Sequence, residues 1–249
     1  MIYQGSKARL RKYIVPILQK CIDDNNIKTY IEPFVGGANV IDHIVCEKRY
    51  GGDVNSDLID LLCYMRDNPK LDIFPEECSF EHYKEVREAR KNKSNKYPTE
   101  YVAGIGYFAS YGGRYFDGGY GRDSKGDRSM YNERLRNARE QAPLLEGITF
   151  QAVSYQHWLD FENCVFYLDP PYKGTKVYDG KEGFDYEHLY DFVRKLSKKN
   201  YVFISEYSMP EDFKILWQKE RKVLQKSDRK EGEVAAEKLF VLDKQYQEY

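Results

Sequence analysis

The chain has 249 residues, 41% of them hydrophobic, with 39 Lys+Arg against 40 Asp+Glu and a net charge of −1. That is enough apolar material for one α/β domain of moderate size plus a smaller insertion. No apolar run approaches the roughly 18 residues of a membrane helix and the start carries no cleavable leader pattern, so the expectation is a cytoplasmic protein. Cys21, Cys46, Cys63, Cys78 and Cys164 are scattered, with no C-x-x-C, and the four histidines show no ligand spacing. They read as reduced thiols and no metal site.

In chain order, Tyr3-Gln4-Gly5-Ser6-Lys7 precedes a helical pattern over about 8–21, and its lysine is placed to meet a carboxylate. A strand over 29–32 then runs through Glu32-Pro33-Phe34-Val35-Gly36-Gly37-Ala38 into a predicted helix over 39–48. Those glycines let backbone approach a ligand. They lack the G-x-G-x-x-G spacing of a pyrophosphate cradle, which argues against a nicotinamide cofactor. Glu32 is open between strand-end packing and a cofactor role, and Gly37 suits tight helix entry with or without a ligand. A strand over 49–54 carries Asp53 near its end, where an acid commonly binds ribose hydroxyls. The helix over 56–67 is ended by Pro69.

Helices are predicted over 80–92, 99–110 and 129–141, all within an insertion. Charge concentrates there: residues 84–140 hold 13 Lys+Arg and 8 Asp+Glu, against 10 and 13 in 1–83 and 16 and 19 in 141–249. Lys84, Arg87, Arg90, Lys91 and Lys93 read as the solvated face of a helix with Glu85 and Glu88. From Phe108 to Arg128, six glycines interleave with aromatic and basic residues. This is too polar for a core, and it suits a loop or hairpin, turning at Asp117-Gly118-Gly119, whose arginines reach bases or phosphates.

A strand over 148–153 returns to the main sheet, and the apolar run Cys164-Val165-Phe166-Tyr167-Leu168 is a buried strand ended by Asp169-Pro170-Pro171-Tyr172. Ligands collect at such strand ends in open α/β sheets. The prolines lack N–H groups, stop the ladder and leave carbonyls free to accept. Asp169 and the Pro170 carbonyl can each take one hydrogen of an exocyclic amine while Tyr172 stacks on the ring that bears it, which is the chemistry an adenine amino group requires. The segment 173–183, with three glycines and three lysines, is expected to close over substrate. A helix over 186–198, a strand over 201–205 and an antiparallel pair, 221–225 with 238–242 around the polar tract 226–233, complete the chain.

Taken in order, Y-x-G-S-K, E-P-F-V-G-G-A, D-V-N-S-D-L-I and D-P-P-Y resemble the Dam-like DNA adenine methyltransferases over nearly the whole chain. The resemblance implies a Rossmann-like α/β domain dependent on S-adenosyl-L-methionine (AdoMet), formed by 1–68 and 147–249, with a mostly helical target-recognition insertion at 69–146. It implies Tyr3, Lys7, Phe34, Gly36, Asp53 and Asp169 at the cofactor, and Asp169, Pro170, Pro171 and Tyr172 as the catalytic turn. Arg114, Tyr115, Tyr120 and Arg122 are the implied contacts to double-stranded DNA. A bacterial or phage-encoded enzyme needing no obligate protein partner is expected, in a restriction-modification system or as a solitary methylase. An RNA adenine methyltransferase, or a non-catalytic DNA-binding protein on the same fold, is the alternative.

Overall fold

The computed structural model describes residues 1–122, 130–172, 184–222 and 234–246. Seven strands form one sheet: β1 (Thr29–Glu32), β2 (Lys48–Asp53), β3 (Ile148–Ala152), β4 (Val165–Leu168), β5 (Tyr201–Glu206), β6 (Phe213–Lys222) and β7 (Val234–Leu242). Their order is β3-β2-β1-β4-β5-β7-β6, parallel throughout the first five positions, with β7 antiparallel to both β5 and β6. This is the expected Rossmann-like α/β architecture. All four residues of β4 are buried, as a strand covered on both faces requires. Val165 and Tyr167 join one apolar cluster, Phe166 and Leu168 the other.

Around the sheet lie α1 (Arg11–Asp24), α2 (Ser56–Asp67), α3 (Phe80–Lys91), α4 (Thr99–Ala109), α5 (Met130–Gln141), α6 (Tyr186–Leu196) and the short α7 (Asp243–Tyr246). Most agree with the sequence pattern to within a few residues. The helix expected over 39–48 does not form. A single 3-10 turn at Ile41–His43 stands there, and β2 begins at Lys48. The stretch is rich in β-branched residues, which resist helix, and Asn39 is tied by its side chain to the Met1 carbonyl at 3.0 Å. The terminal pair is also longer and set differently from expectation: Leu242 faces Phe213 and Lys238 faces Gln218. The reason is that β6 is the sheet edge, where Lys214, Gln218 and Lys219 blunt further pairing and hide the strand in a polar pattern. The tract 226–233 and the segment 173–183 lie outside the described residues.

Helix α4 packs on α2, and α3 and α5 pack on α4, through the first cluster, which includes Leu58, Met65, Phe74, Tyr83, Phe108 and Tyr131. The glycine-rich segment leaves α4 and closes on itself: Ser110 bridges Tyr120, the Tyr111 amide donates to the Gly119 carbonyl at 2.8 Å, and the Gly121 amide donates to the Ala109 carbonyl at 2.7 Å. A loop pinned at its base is therefore what the hairpin expectation becomes. Arg134 of α5 anchors it. Its guanidinium is buried and donates to the Phe108 carbonyl at 2.9 Å and to that of Ser110, at the end of α4 where the helix leaves carbonyls unanswered. Arg134→Met is expected to lower the unfolding free energy by about 2 kcal/mol, with Arg134→Lys recovering part of it, as measured by urea denaturation.

Candidate active site

At β1 and β4 the chain's progression reverses: β1 continues to β2 and β3 on one side, β4 to β5 on the other. Crevices open at such switch points, outside the carboxyl ends of the strands. Tyr30 and Ile31 of β1 stand opposite Val165 and Phe166 of β4, so the turn after Glu32 and the turn after Leu168 share that crevice.

Asp169 occupies the β4 side, with 18% of its side chain exposed. Its Oδ1 lies 2.7 Å from Lys7 Nζ. At that distance the pair is a close, charge-assisted contact. The same ammonium lies 3.9 Å from Glu237 Oε2 and 4.6 Å from the centre of the Tyr172 ring. Tyr172 donates its hydroxyl to Glu237 at 2.8 Å and meets the Tyr207 ring edge-on at 4.6 Å. Tyr186 donates to the Pro171 carbonyl at 3.0 Å. Burial lifts the Asp169 carboxyl above the usual carboxylate range, the Lys7 ammonium pulls it back down, and the Glu237 charge adds to the rise. Glu32, buried with Tyr30 donating to it at 2.7 Å, is raised well above the usual range by burial. It stands as a packed strand-end acid.

On the β1 side, Gly36 has φ +48, and a Cβ there would meet the Tyr3 ring at 3.0 Å. Asp53, at the end of β2, accepts from the Gly36 amide at 3.3 Å and the Asn55 amide at 3.0 Å, so its carboxylate is aimed by the glycine turn itself. Burial raises its pKa, and those amides oppose the rise. Phe34 stacks on Tyr155 with ring centres 5.3 Å apart and meets Phe184 edge-on at 6.0 Å. A held carboxylate, an aromatic wall and bare backbone at a glycine turn fit an adenosyl group: hydroxyls for Asp53, a flat base for the rings.

Within the insertion, Arg114 and Arg122 are exposed. The Arg122 guanidinium lies over the Phe80 and Tyr120 rings at 5.1 and 5.5 Å. Tyr120 turns inward and donates to the Cys78 carbonyl. Tyr115 is partly buried, stacks on Tyr107 at 4.7 Å and donates to Asp57 at 2.5 Å, with Arg90 over its ring at 4.6 Å. Sequence reasoning missed Glu237, Tyr155 and Arg134. Only Glu237 carries a local signal: it stands on the face of β7 that Leu239 and Val241 present to the core. Among the described residues no cluster of His, Cys, Asp and Glu is placed to hold a metal, and no helix is long and apolar enough to cross a membrane.

The family model of the D12 class N6 adenine-specific DNA methyltransferases matches residues 3–231. The chain belongs to that family. It is 27% identical to type II methyltransferase M.MjaIII of Methanocaldococcus jannaschii, over 85% of this chain and 84% of that protein. It is likewise 27% identical to type II methyltransferase M1.LlaDCHI of Lactococcus lactis subsp. cremoris, over 80% of this chain and 79% of that one. Among solved structures, the rRNA methyltransferase aviRa from Streptomyces viridochromogenes superposes with a TM-score of 0.43 at 12% identity, covering 99% of this chain and 88% of that one, a likeness too loose to carry an argument. This D12-class enzyme methylates adenine in DNA, and membership implies AdoMet as the methyl donor.

The charges facing Asp169 give a direct test. Lys7 lowers its pKa, Tyr172 helps, and Glu237 raises it, while Glu32 and Tyr167 feel its charge in turn. A carbon-13 NMR titration of the Asp169 carboxyl is expected to show a midpoint above that of an ordinary aspartate, and a higher one still in Lys7→Met. A midpoint that stays put when the ammonium is removed contradicts the pairing.

Proposed function

We propose that the enzyme acts site-specifically on an adenine flipped out of duplex DNA, with Asp169, Pro170 and Tyr172 holding the base and Tyr3, Lys7, Phe34, Gly36 and Asp53 forming the AdoMet site. The observation that supports this reading is a largely buried carboxylate, paired with an ammonium, at the carboxyl end of β4 beside an aromatic ring held through its hydroxyl. Pro171 spends its carbonyl on Tyr186, which leaves the Pro170 carbonyl for the incoming amine.

AdoMet supplies a methyl already activated by its sulfonium, so the protein needs no covalent nucleophile. The remaining work is positioning. An adenine amino nitrogen delocalises its lone pair into the ring, and two acceptors drawing on its hydrogens favour the pyramidal geometry that returns that pair. Asp169 is one acceptor and the Pro170 carbonyl the other. Flipping costs a few kcal/mol, offset by stacking on Tyr172 and by these hydrogen bonds. As the methyl arrives, positive charge grows on the nitrogen, and a negative group fixed in advance stabilises it without reorganisation. The proton leaves late, to an oxygen of Asp169 or to water.

We assign residues 69–146 to target recognition. Arg114 and Arg122 reach outward from the pinned loop and take the DNA contacts, while Tyr115 and Tyr120 serve as the struts that aim them. Labelled methyl transfer from AdoMet to unmethylated duplex DNA, with mapping of modified adenines, tests the whole. Label confined to adenine in one short sequence is expected; label in RNA alone overturns the substrate. Asp169→Ala is expected to abolish transfer while AdoMet binding survives, and Tyr172→Ala to lose far more activity than Tyr172→Phe. Arg114→Ala and Arg122→Ala should each weaken DNA binding about tenfold and leave AdoMet affinity unchanged, by calorimetry.

A further inference from the structure

Glu237 lies on the seventh strand, far along the chain from the Asp169 turn, yet its carboxylate is within that turn's reach. Only 8% of its side chain is exposed. An ionised carboxylate at a core-facing strand position is costly to bury and is retained where its hydrogen bonds and charge partners are specific. Glu237 has two of them at the site. Its Oε2 accepts the Tyr172 hydroxyl at 2.8 Å and stands 3.9 Å from the Lys7 ammonium, which itself pairs with Asp169. The next residue, Lys238, pairs with Glu206 at the carboxyl end of β5, so the backbone that carries Glu237 is fixed by the sheet ladder rather than by the turn it serves.

We propose that Glu237 is a positioning residue for the target base: it pins the Tyr172 ring against the crevice and shares the Lys7 ammonium with Asp169. Tyr172 follows two prolines that fix its backbone from the preceding side, and its phenol is anchored far along the chain, on Glu237. A ring held at both its backbone and its hydroxyl offers a flat face at one fixed angle to an entering base. The Lys7 ammonium stays in contact with Asp169 at 2.7 Å and stands 3.9 Å from Glu237, so the second carboxylate adds its charge to the same cluster. The inference rests on the reading of Asp169 and Tyr172 as the base-holding pair.

The experiment compares wild type, Glu237→Gln, Glu237→Ala and Asp169→Ala for AdoMet affinity by calorimetry, for kcat and KM on duplex DNA, and for emission of 2-aminopurine placed at the methylated position. Glu237→Gln keeps an acceptor for the Tyr172 hydroxyl and so remains the informative variant where Glu237→Ala does not fold. Both Glu237 variants are expected to bind AdoMet within about twofold of wild type and to lose kcat, Ala by about tenfold or more and Gln by less, since a hydrogen bond to a charged group is replaced by a neutral one or by none. In Glu237→Ala the flipped 2-aminopurine should emit more brightly than in wild type, because the unpinned ring no longer stacks on it. Wild-type kcat and emission in both variants overturn the proposal, as does a loss of AdoMet affinity equal to the loss of kcat, which marks a merely structural role. An active Asp169→Ala would instead overturn the reading of the site on which the proposal rests.

Discussion

Everything at this site depends on keeping a carboxylate charged where water is scarce. Asp169 stands at the mouth of the switch-point crevice with little of its side chain exposed, and burial alone favours its neutral form. Taking an ion out of water costs several kcal/mol even after relaxation, at about the level a close counter-ion returns only in good geometry. Lys7, at 2.7 Å, is that counter-ion. It arrives from a different part of the chain, on the segment that also carries Tyr3 against the glycine turn. One stretch of five residues therefore serves both turns, packing Tyr3 against the glycine turn and setting the Lys7 ammonium against Asp169.

The arrangement favours strength over comfort. Two carboxylates, Asp169 and Glu237, bracket a single ammonium at 2.7 and 3.9 Å, so the cluster carries excess negative charge when both acids are ionised. For a fold alone that is a poor bargain, and replacement by apolar residues would cost nothing. For a reaction in which positive charge grows on an amine, the excess is aligned with the need, because a preorganised field inside the protein acts without the reorganisation that water demands.

How much of this was legible in the sequence depends on whether the parts are contiguous. Asp169 to Tyr172 and the Glu32 to Ala38 turn are read directly, because strand, breaker and ligand group follow one another in a few residues. Asp53 is legible because a strand end and a carboxylate suffice to place it. Glu237 is legible only as an acid on the core-facing side of an alternating strand, since its partners come from the register of β7 on β5, an antiparallel pairing that no local pattern specifies. Arg134 reads as one more charge on an amphipathic helix until the end of α4 is seen beneath it. The 39–48 stretch failed for a different reason: apolar periodicity was present, but β-branched residues and the tether at Asn39 leave only one turn of 3-10 helix.

The aromatic residues of the glycine-rich segment are more tightly packed than its composition suggests. Tyrosines in such a loop look available for nucleic acid, yet two of them are committed inward. Tyr115 stacks on Tyr107 at 4.7 Å, Tyr107 lies 5.8 Å from Tyr3, and the Tyr107 hydroxyl accepts from Asn55 Nδ2 at 3.0 Å, two residues beyond Asp53. The rings thus run as one packed series from the glycine turn of the cofactor side to the base of the loop that presents Arg114 and Arg122. Packed rings transmit position because interiors as dense as crystals leave little room for one member to shift alone. On the proposed reading, a loop held this way offers DNA arginines whose backbone is already placed, and the distance from the recognised bases to the methyl donor is set by the fold.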